Sequence, residues 1–349
     1  MLVPKTIRII QGRTPDGQQG LAAEIEESAR CALKYEKSVR ILADGPSEKK
    51  PNQPRKRIAE KADFIMPIGA PSPAQLKRHD TGVLAEITVP EPGIHPCALD
   101  HPLNLGESLH GYFTRNGDLL SLHHLPAVHG KLDLNAPSLM AAPSIKNQEL
   151  ANTLQAKFGL HGPWHAVATG PNALELHSYA APRLTPLFSA LGLNWYALLV
   201  FEAMEKPISI LRQKIKGTIA FNPGRPPRLQ LTFDRLYLDL DDTLIIHGAV
   251  NPHAMQLLED CRQQNIAVHL ITRHAGNLPK TLKTYKIDEP LFASVIWIKD
   301  QSPKSSHMKP GNAIFIDDSY QERVEVCKEL AIPSYSQDVL QHDFWKPNM

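Results

Sequence analysis

A short apolar run that ends in three carboxylates constrains the fold of this chain more than any other feature. Leu236–Leu244 reads Leu-Tyr-Leu-Asp-Leu-Asp-Asp-Thr-Leu, and its first half has the pattern of a buried strand. Asp239, Asp241 and Asp242 crowd the end of that strand. Because burying so much like charge is costly without compensation, the run predicts a site for a hard cation such as Mg2+. A strand that leads into a solvated acidic turn is the alternative.

Two further apolar strands in the same region end on polar side chains. Ile266–Thr272 ends on a hydroxyl, and Ala313–Ser319 carries Asp317 and Asp318 near its end. Pro252–Gln264, before the first of them, has the pattern of a helix. Strands that alternate with helices predict a parallel, doubly wound sheet, in which functional groups gather beyond the carboxyl ends of the strands. We therefore expect these groups to converge on one crevice.

A lysine follows the remaining strand of this region. Ser294–Lys299 has a strand pattern, and Lys304 comes after it within the sequence Pro-Lys-Ser-Ser. Because Lys299 and Lys309 lie close by, Lys304 is either a site residue or an ordinary solvated lysine. The order of the neighbouring motifs favours a site residue.

Taken in order, these four motifs resemble those of the haloacid dehalogenase (HAD) superfamily of phosphotransferases, over about residues 233 to 349. The resemblance implies that Asp239 is a nucleophile that forms an aspartyl-phosphate. Asp241 would be the general acid for the leaving group and then the base for the attacking water. Thr272 would hydrogen-bond the phosphoryl oxygens, and Lys304 would neutralise charge on the nucleophile and the phosphate.

The same resemblance implies a Mg2+ site and a hydrolytic outcome. Asp239, the backbone carbonyl of Asp241, Asp317 and Asp318 would be the metal ligands. Family members that stop at a long-lived phosphoenzyme carry Thr at the position of Asp241, and dehalogenases lack this carboxylate arrangement. Hydrolysis or transfer of a phosphate is therefore expected.

The spacing of the motifs predicts a HAD-like domain without a cap. Only 28 residues separate Thr243 from Thr272, and 31 separate Thr272 from Lys304. Each interval has room for a helix and a strand but not for an inserted lid domain. Since water exclusion and substrate selection need a cover, the N-terminal part of the chain or a partner is expected to supply it.

The middle of the chain begins with the pattern of a hairpin and a helix. Ser108–Thr114 alternates in polarity, turns at Asn116-Gly117 and returns as Leu119–His123, which is a strong hairpin signal. Ser144–Phe158 has helical periodicity, and Gly159 stands where helices prefer to end. The apolar positions on or near one face of this helix are Ile145, Leu150, Leu154 and Phe158.

A second hairpin and a second helix follow. Pro163–Ala168 and Ala173–His177 flank a turn at Gly170-Pro-Asn172, and the apolar stretch Pro186–Met204 predicts one long helix. This α+β order is similar to the C-terminal lobe of ATP-grasp enzymes, in particular to short carbamoyl-phosphate-synthase-like forms that precede a HAD domain. Two hypotheses follow: a lobe that covers or orients the substrate, or an ATP-dependent ligase coupled to a HAD phosphatase.

The ATP-grasp resemblance names its own candidate residues. The family has a Glu-x-Asn-Pro-Arg pattern whose Glu and Asn hold Mg2+ for ATP. This chain keeps Glu175 but has His177 in place of the Asn. Arg183 lies further along the chain than the Arg of the pattern, in a segment that lines the cleft in that family. Residues 1 to 85 are too few for the upstream nucleotide-binding parts, so this region is predicted to be a diverged α/β remnant. Gly12–Gly17 lacks the compact glycine spacing of a phosphate loop.

Composition agrees with a multidomain protein. We predict three parts over the 349 residues: 1–85, 86–230 and 231–349. The net charge of +2 gives no reason to expect nucleic acid or a membrane as partner, and the basic run Lys49–Arg57 is typical of a solvated loop. No stretch is both long enough and apolar enough to span a bilayer, and the cysteines have no CxxC spacing. A cytoplasmic location is expected.

The histidines of the middle region invite a metal hypothesis. His165 and His177 face each other if the second hairpin forms, but no Cys or carboxylate set completes a zinc pattern. Ordinary hydrogen-bonded histidines are the favoured interpretation. The sequence as a whole predicts a Mg2+-dependent phosphohydrolase or phosphotransferase that acts on a phosphorylated small molecule or carrier. A non-catalytic scaffold is the remaining alternative.

Overall fold

The computed structural model of the chain resolves into two compact units. The first unit comprises Met1–Val128, Ala141–Pro182 and Asn194–Ser209, and the second comprises His129–Met140, Arg183–Leu193 and Ile210–Met349. The residues that the structure describes are 6–11, 40–44, 64–68, 101–127, 130–133, 143–177, 180–181, 184–203, 207–211, 213–221 and 228–341.

The elements are numbered along the chain over these residues. The strands are β1 Thr6–Gln11, β2 Arg40–Asp44, β3 Phe64–Ile68, β4 Ser108–Phe113, β5 Leu119–Leu125, β6 Gly130–Asp133, β7 Gly162–Gly170, β8 Ala173–His177, β9 Gly217–Phe221, β10 Arg228–Leu231, β11 Arg235–Leu238, β12 Ile245–Ile246, β13 Ala249–Val250, β14 Ala267–Thr272, β15 Ser294–Trp297, β16 Ala313–Ile316 and β17 Ser334–Tyr335. The α-helices are α1 Ile145–Phe158, α2 Thr185–Ala190, α3 Trp195–Ala203, α4 Pro252–Gln263, α5 Leu278–Thr284 and α6 Tyr320–Leu330, and the 3-10 turns are Glu289–Leu291, Lys304–His307 and Gln337–Gln341.

A five-stranded parallel sheet dominates the second unit. Its order is β15-β14-β11-β16-β17, with β11 in the centre. Tyr237, Ile271 and Phe315 lie on one face and pack with Val326 of α6. The predicted parallel sheet is confirmed, and all its strands end at the same edge. We call the ends of β11, β14 and β16 the carboxyl edge.

The helices of this sheet begin at the capping residues that their sequences offer. The Asn251 side chain accepts hydrogen bonds from the backbone N–H groups of His253 and Ala254 at the start of α4, where Pro252 is the first helical residue. Ser319 caps α6 in the same way. The hairpin β12–β13 and α4 fill the interval between Thr243 and β14, so this interval contains no inserted domain, as the spacing predicts.

A four-stranded antiparallel sheet, in the order β5-β4-β7-β8, forms the core of the first unit. Both predicted hairpins and α1 are confirmed, with Ser144 as N-cap and Gly159 in the left-handed conformation at the C-cap. Leu150 and Leu154 of α1 pack on this sheet. Ile145 was expected on the same face, but its side chain is 75% exposed because it lies at the first position of the helix.

The single helix predicted over Pro186–Met204 is wrong, because the chain breaks between α2 and α3. Gly192 adopts a φ of +78°, which an L-residue rarely accepts, and so ends the first helical segment. The Asn194 side chain then accepts a hydrogen bond from Ala197 N at 3.0 Å and starts the second. The sequence Gly192-Leu-Asn194 therefore contains both the residue that ends α2 and the residue that caps α3.

Two smaller sheets complete the described architecture. β1 pairs in parallel with β2 and β3, in the order β2-β1-β3, within the N-terminal region predicted as α/β. β6, β9 and β10 form an antiparallel sheet of the second unit. This unit is therefore wider than the predicted domain at residues 231–349. Over the described residues, no helix has both the length and the apolar character of a membrane span.

Candidate active site at the carboxyl edge

Three buried charged side chains meet at the carboxyl edge. The Nζ atom of Lys304 lies 2.7 Å from Oδ1 of Asp239 and 2.5 Å from Oδ2 of Asp317. Asp239 follows β11, Asp317 follows β16, and Lys304 lies in the 3-10 turn between β15 and β16. Lys304 is only 3% exposed, unlike a solvated surface lysine. Parallel strand order thus brings together three residues that are far apart in the sequence.

The electrostatics of this cluster favour an additional cation. Burial raises the pKa of Asp239 well above its usual range, the Asp317 carboxylate adds to the rise, and Lys304 opposes it. Burial alone would lower the pKa of Lys304, but the two carboxylates overcome this effect and raise it, so the ammonium stays charged. The raised pKa of Asp239 means that its ionised form lacks full compensation by Lys304, and a bound cation would supply the missing positive charge.

A third carboxylate completes a group with the chemistry of a metal site. One ligand oxygen each from Asp239, Asp317 and Asp318 lies within 4.8 Å of the others, and this is the only such group among the described residues. Carboxylate oxygens are the donors that Mg2+ prefers, so the donor set fits the predicted cation. The Asp241 side chain lies outside this group, and the predicted role of its backbone carbonyl stays a prediction.

Two residues hold the loop that carries the acid pair. The Thr243 hydroxyl accepts a hydrogen bond from Asp318 N at 3.1 Å and so ties the loop after β16 to the loop after β11. Arg323 donates from Nη1 to the carbonyl oxygens of Asp317 and Asp318, at 2.7 and 2.8 Å. Sequence reasoning missed Arg323; its place in the first turn of the helix that follows the acidic loop was the available signal.

Thr272 lies at the same edge, buried at the end of β14. Its Oγ1 accepts a hydrogen bond from the backbone N–H of His274 at 3.1 Å. This contact orients the hydroxyl and leaves its own proton to donate to a bound oxygen. The geometry is compatible with the predicted role toward a phosphoryl group.

Asp241 lies beside a histidine that the sequence did not identify. Nδ1 of His274 is 3.0 Å from both Oδ1 and Oδ2 of Asp241. The Asp241 side chain is 52% exposed, so its carboxylate faces the solvent side of the edge. The only sequence signal was that His274 follows Thr272 by two residues.

The candidate residues of the ATP-grasp resemblance lie in the first unit. Oε1 of Glu175 is 3.0 Å from Nε2 of His177, and Val167 stands opposite Glu175 on the neighbouring strand. Arg183 lies outside the described residues. His165 and His177 do pair across the second hairpin, with their rings stacked at 4.3 Å. Within the described part of the chain, these histidines form no group of converging metal-ligand atoms.

Comparisons with known proteins leave the family of the chain open. No protein-family model and no curated protein matches it. One solved structure to which it is similar is the phosphoribosylaminoimidazole carboxylase ATPase subunit from Aquifex aeolicus, with 10% sequence identity and a TM-score of 0.39. The match covers 63% of this chain and 82% of that chain. A similarity at this TM-score establishes neither a shared fold nor a shared function.

Proposed function

We propose that the chain is a Mg2+-dependent phosphohydrolase of the HAD type, in which Asp239 forms an aspartyl-phosphate. One observation carries the proposal: Lys304 is buried between Asp239 and Asp317 at the carboxyl edge of a parallel sheet. Two buried carboxylates that share one ammonium lack positive charge, and a site for a cation and a phosphate accounts for all three residues. The substrate is a phosphorylated small molecule or carrier.

In the first step, a carboxylate oxygen of Asp239 attacks the phosphorus atom while the bond from phosphorus to the leaving oxygen breaks. Asp241 gives its proton to that leaving oxygen. Lys304 and the Thr272 hydroxyl bind the phosphoryl oxygens, so they offset charge that remains on the group as it is transferred.

In the second step, Asp241 is the base. It takes a proton from a water molecule whose oxygen attacks the phosphorus of the aspartyl-phosphate, and the acyl phosphate bond to Asp239 breaks. Inorganic phosphate leaves and both carboxyl groups return to their starting states. Asp239, Asp317, Asp318 and the backbone carbonyl of Asp241 would hold Mg2+. When bound, it supplies positive charge that neutralises the phosphoryl oxygens.

Replacing the nucleophile tests this proposal. We expect Asp239→Asn to lower the rate of phosphate release from an aryl phosphate, in the presence of Mg2+, by about a thousandfold or more, because the amide is not a nucleophile. Asp234→Asn makes the same chemical change at the opposite, exposed end of β11 and should retain activity. Retained activity in Asp239→Asn would show that the mechanism is wrong.

A second candidate is an ATP-dependent ligase whose HAD-type part removes a phosphate. It is supported by the hairpin, helix and hairpin order of the antiparallel sheet and by the presence of Glu175. Titration calorimetry with ATP and Mg2+ tests it on the full chain, with Glu175→Ala as the variant. Absence of ATP binding would remove this candidate and leave the phosphohydrolase.

A further inference from the structure

We infer that His274 is the positioning residue for the general acid Asp241, and that Thr281 and Gly276 hold the His274 ring in place for that role. The inference rests on the proposed function, because it names what orients the proton donor of that reaction. The resemblance that suggested the site assigns no role to His274. What carries the inference is the set of contacts around its ring and backbone.

His274 is fixed at four points. Its backbone N–H donates to Oγ1 of Thr272 at 3.1 Å, and its carbonyl oxygen accepts from Nε1 of Trp297 at 2.9 Å. On the ring, Nε2 lies 2.9 Å from Oγ1 of Thr281 in α5, and Nδ1 lies 3.0 Å from both oxygens of Asp241. A side chain held this fully loses little further freedom when it holds another group.

Asp241 needs such a partner because more than half of its side chain is exposed. A carboxylate in water samples several rotamers, so an unrestrained Asp241 would lose conformational freedom each time it takes part in the reaction. The Nδ1 contact to both oxygens selects one orientation. Asp241 therefore approaches the reaction already oriented.

The hydrogen-bond chain serves both protonation states of Asp241. When the Thr281 hydroxyl donates to Nε2, the ring carries its proton on Nδ1 and donates it to Asp241. An ionised Asp241 accepts this bond, and a protonated Asp241 still accepts it at its carbonyl oxygen while its O–H donates to the leaving oxygen. No proton moves onto or off His274 in the cycle.

Because Gly276 has no side chain, it leaves room for the imidazole ring of His274. A Cβ atom at this position would come within 2.9 Å of Nε2 of His274, closer than a Cβ atom approaches another heavy atom. The φ of Gly276 is not in the left-handed region, so an alanine there meets the ring rather than a strained backbone. Gly276→Ala is therefore a way to displace His274 without removing it.

The test compares two substrates that differ in their need for a proton. Para-nitrophenyl phosphate has a leaving group that departs without protonation, whereas ethyl phosphate requires a general acid. For each variant and substrate the measured quantity is kcat/KM, which reports the steps up to departure of the leaving group and does not include hydrolysis of the phosphoenzyme. It is measured on the full chain with Mg2+.

We expect His274→Ala, Thr281→Val and Gly276→Ala to lower kcat/KM for ethyl phosphate by about 10- to 100-fold, with less than about threefold change for para-nitrophenyl phosphate. His274→Asn should recover most of the loss, since its amide N–H can take the place of Nδ1–H. His253→Ala, at an exposed position of α4, is the matched control and should match the wild type on both substrates.

Each remaining outcome overturns the inference. Equal losses on both substrates would mean a structural role, and no loss on either would mean that Asp241 is oriented without His274. A wild-type chain that turns over neither phosphate would refute the proposed function itself, and this result differs from the other two because it appears before any variant is compared.

Discussion

At the scale of single residues, the ammonium of Lys304 compensates more buried charge than any other contact described at the carboxyl edge. Its ammonium is the shared partner of two buried carboxylates, and those carboxylates repel each other. In such a triad each charge is compensated only while the others are present, so the loss of one is far more costly than the loss of an exposed charge.

Lys304→Met should therefore lower the free energy of unfolding by about 3–5 kcal/mol near neutral pH in the absence of Mg2+. The methionine fills a similar volume but leaves Asp239 and Asp317 without their common partner. Denaturant unfolding measures the change. Lys309→Met, at a nearby exposed position, should change it by less than about 0.5 kcal/mol, and similar values for both variants would contradict the prediction.

Single residues also mark the limit of sequence reasoning about the site. Asp239, Thr272, Lys304 and Asp317 could be predicted, because each follows an apolar strand and parallel strands end at one edge. His274 and Arg323 could not, since their roles depend on the path of the loop after β14 and on the first turn of α6. A histidine or arginine in a loop has no periodicity that distinguishes a site residue from a solvated one.

At the scale of elements, the antiparallel sheet of the first unit carries a row of four histidines. His123, His110, His165 and His177 lie opposite one another on β5, β4, β7 and β8. The ring of His110 stacks on that of His165 at 5.5 Å. Alternation alone places each histidine on one face of its strand, but the row depends on the pairing of β4 with β7, which the two hairpin patterns do not specify.

This row should make the first unit sensitive to acid. Burial lowers the pKa of His110 well below its usual value of 6.5, and the neighbouring histidines lower it further. Below pH 6.5 the unfolded chain therefore binds a proton that the folded chain does not, and stability falls as pH falls, by about 1.4 kcal/mol per pH unit for this group.

The comparison of melting temperatures at pH 7.5 and about pH 5.5 tests this expectation. His110→Gln should reduce the difference between the two temperatures, because glutamine takes up no proton in the unfolded chain. His253→Gln, at an exposed position, should leave the difference unchanged. An equal difference in His110→Gln and in the wild type would contradict the assignment.

At the scale of the whole molecule, each unit is assembled from separate stretches of sequence. β6 pairs with β9 across more than eighty residues of chain, and Gln213 Oε1 accepts a hydrogen bond from Ser334 N at 2.7 Å. Local patterns predict helices and hairpins but contain nothing about such distant pairings. The three parts predicted from the sequence are therefore continuous segments, whereas each compact unit consists of three separate stretches.

Gln213→Leu should destabilise the second unit by about 1–3 kcal/mol, since the buried N–H of Ser334 at the start of β17 loses its acceptor. Leucine has a similar volume, and because it also removes the buried Nε2 of Gln213, which is unpaired among the described residues, the measured loss is a lower limit for the hydrogen bond. Calorimetric unfolding measures it, and Gln256→Leu on the exposed side of α4 is the matched control. A stability equal to that of the control would show that this contact contributes nothing.

The interleaved order of the two units has a consequence for biosynthesis. The second unit uses β6, near residue 130, but its central parallel sheet is completed only by β17, at Ser334–Tyr335. β6 gains its partner strand, β9, only after more than eighty further residues have been synthesised, and the unit is complete only after the parallel sheet has formed as well. Until β9 is made, the backbone N–H and C=O groups of β6 have no partner among the described strands of this sheet, so water or temporary contacts must satisfy them.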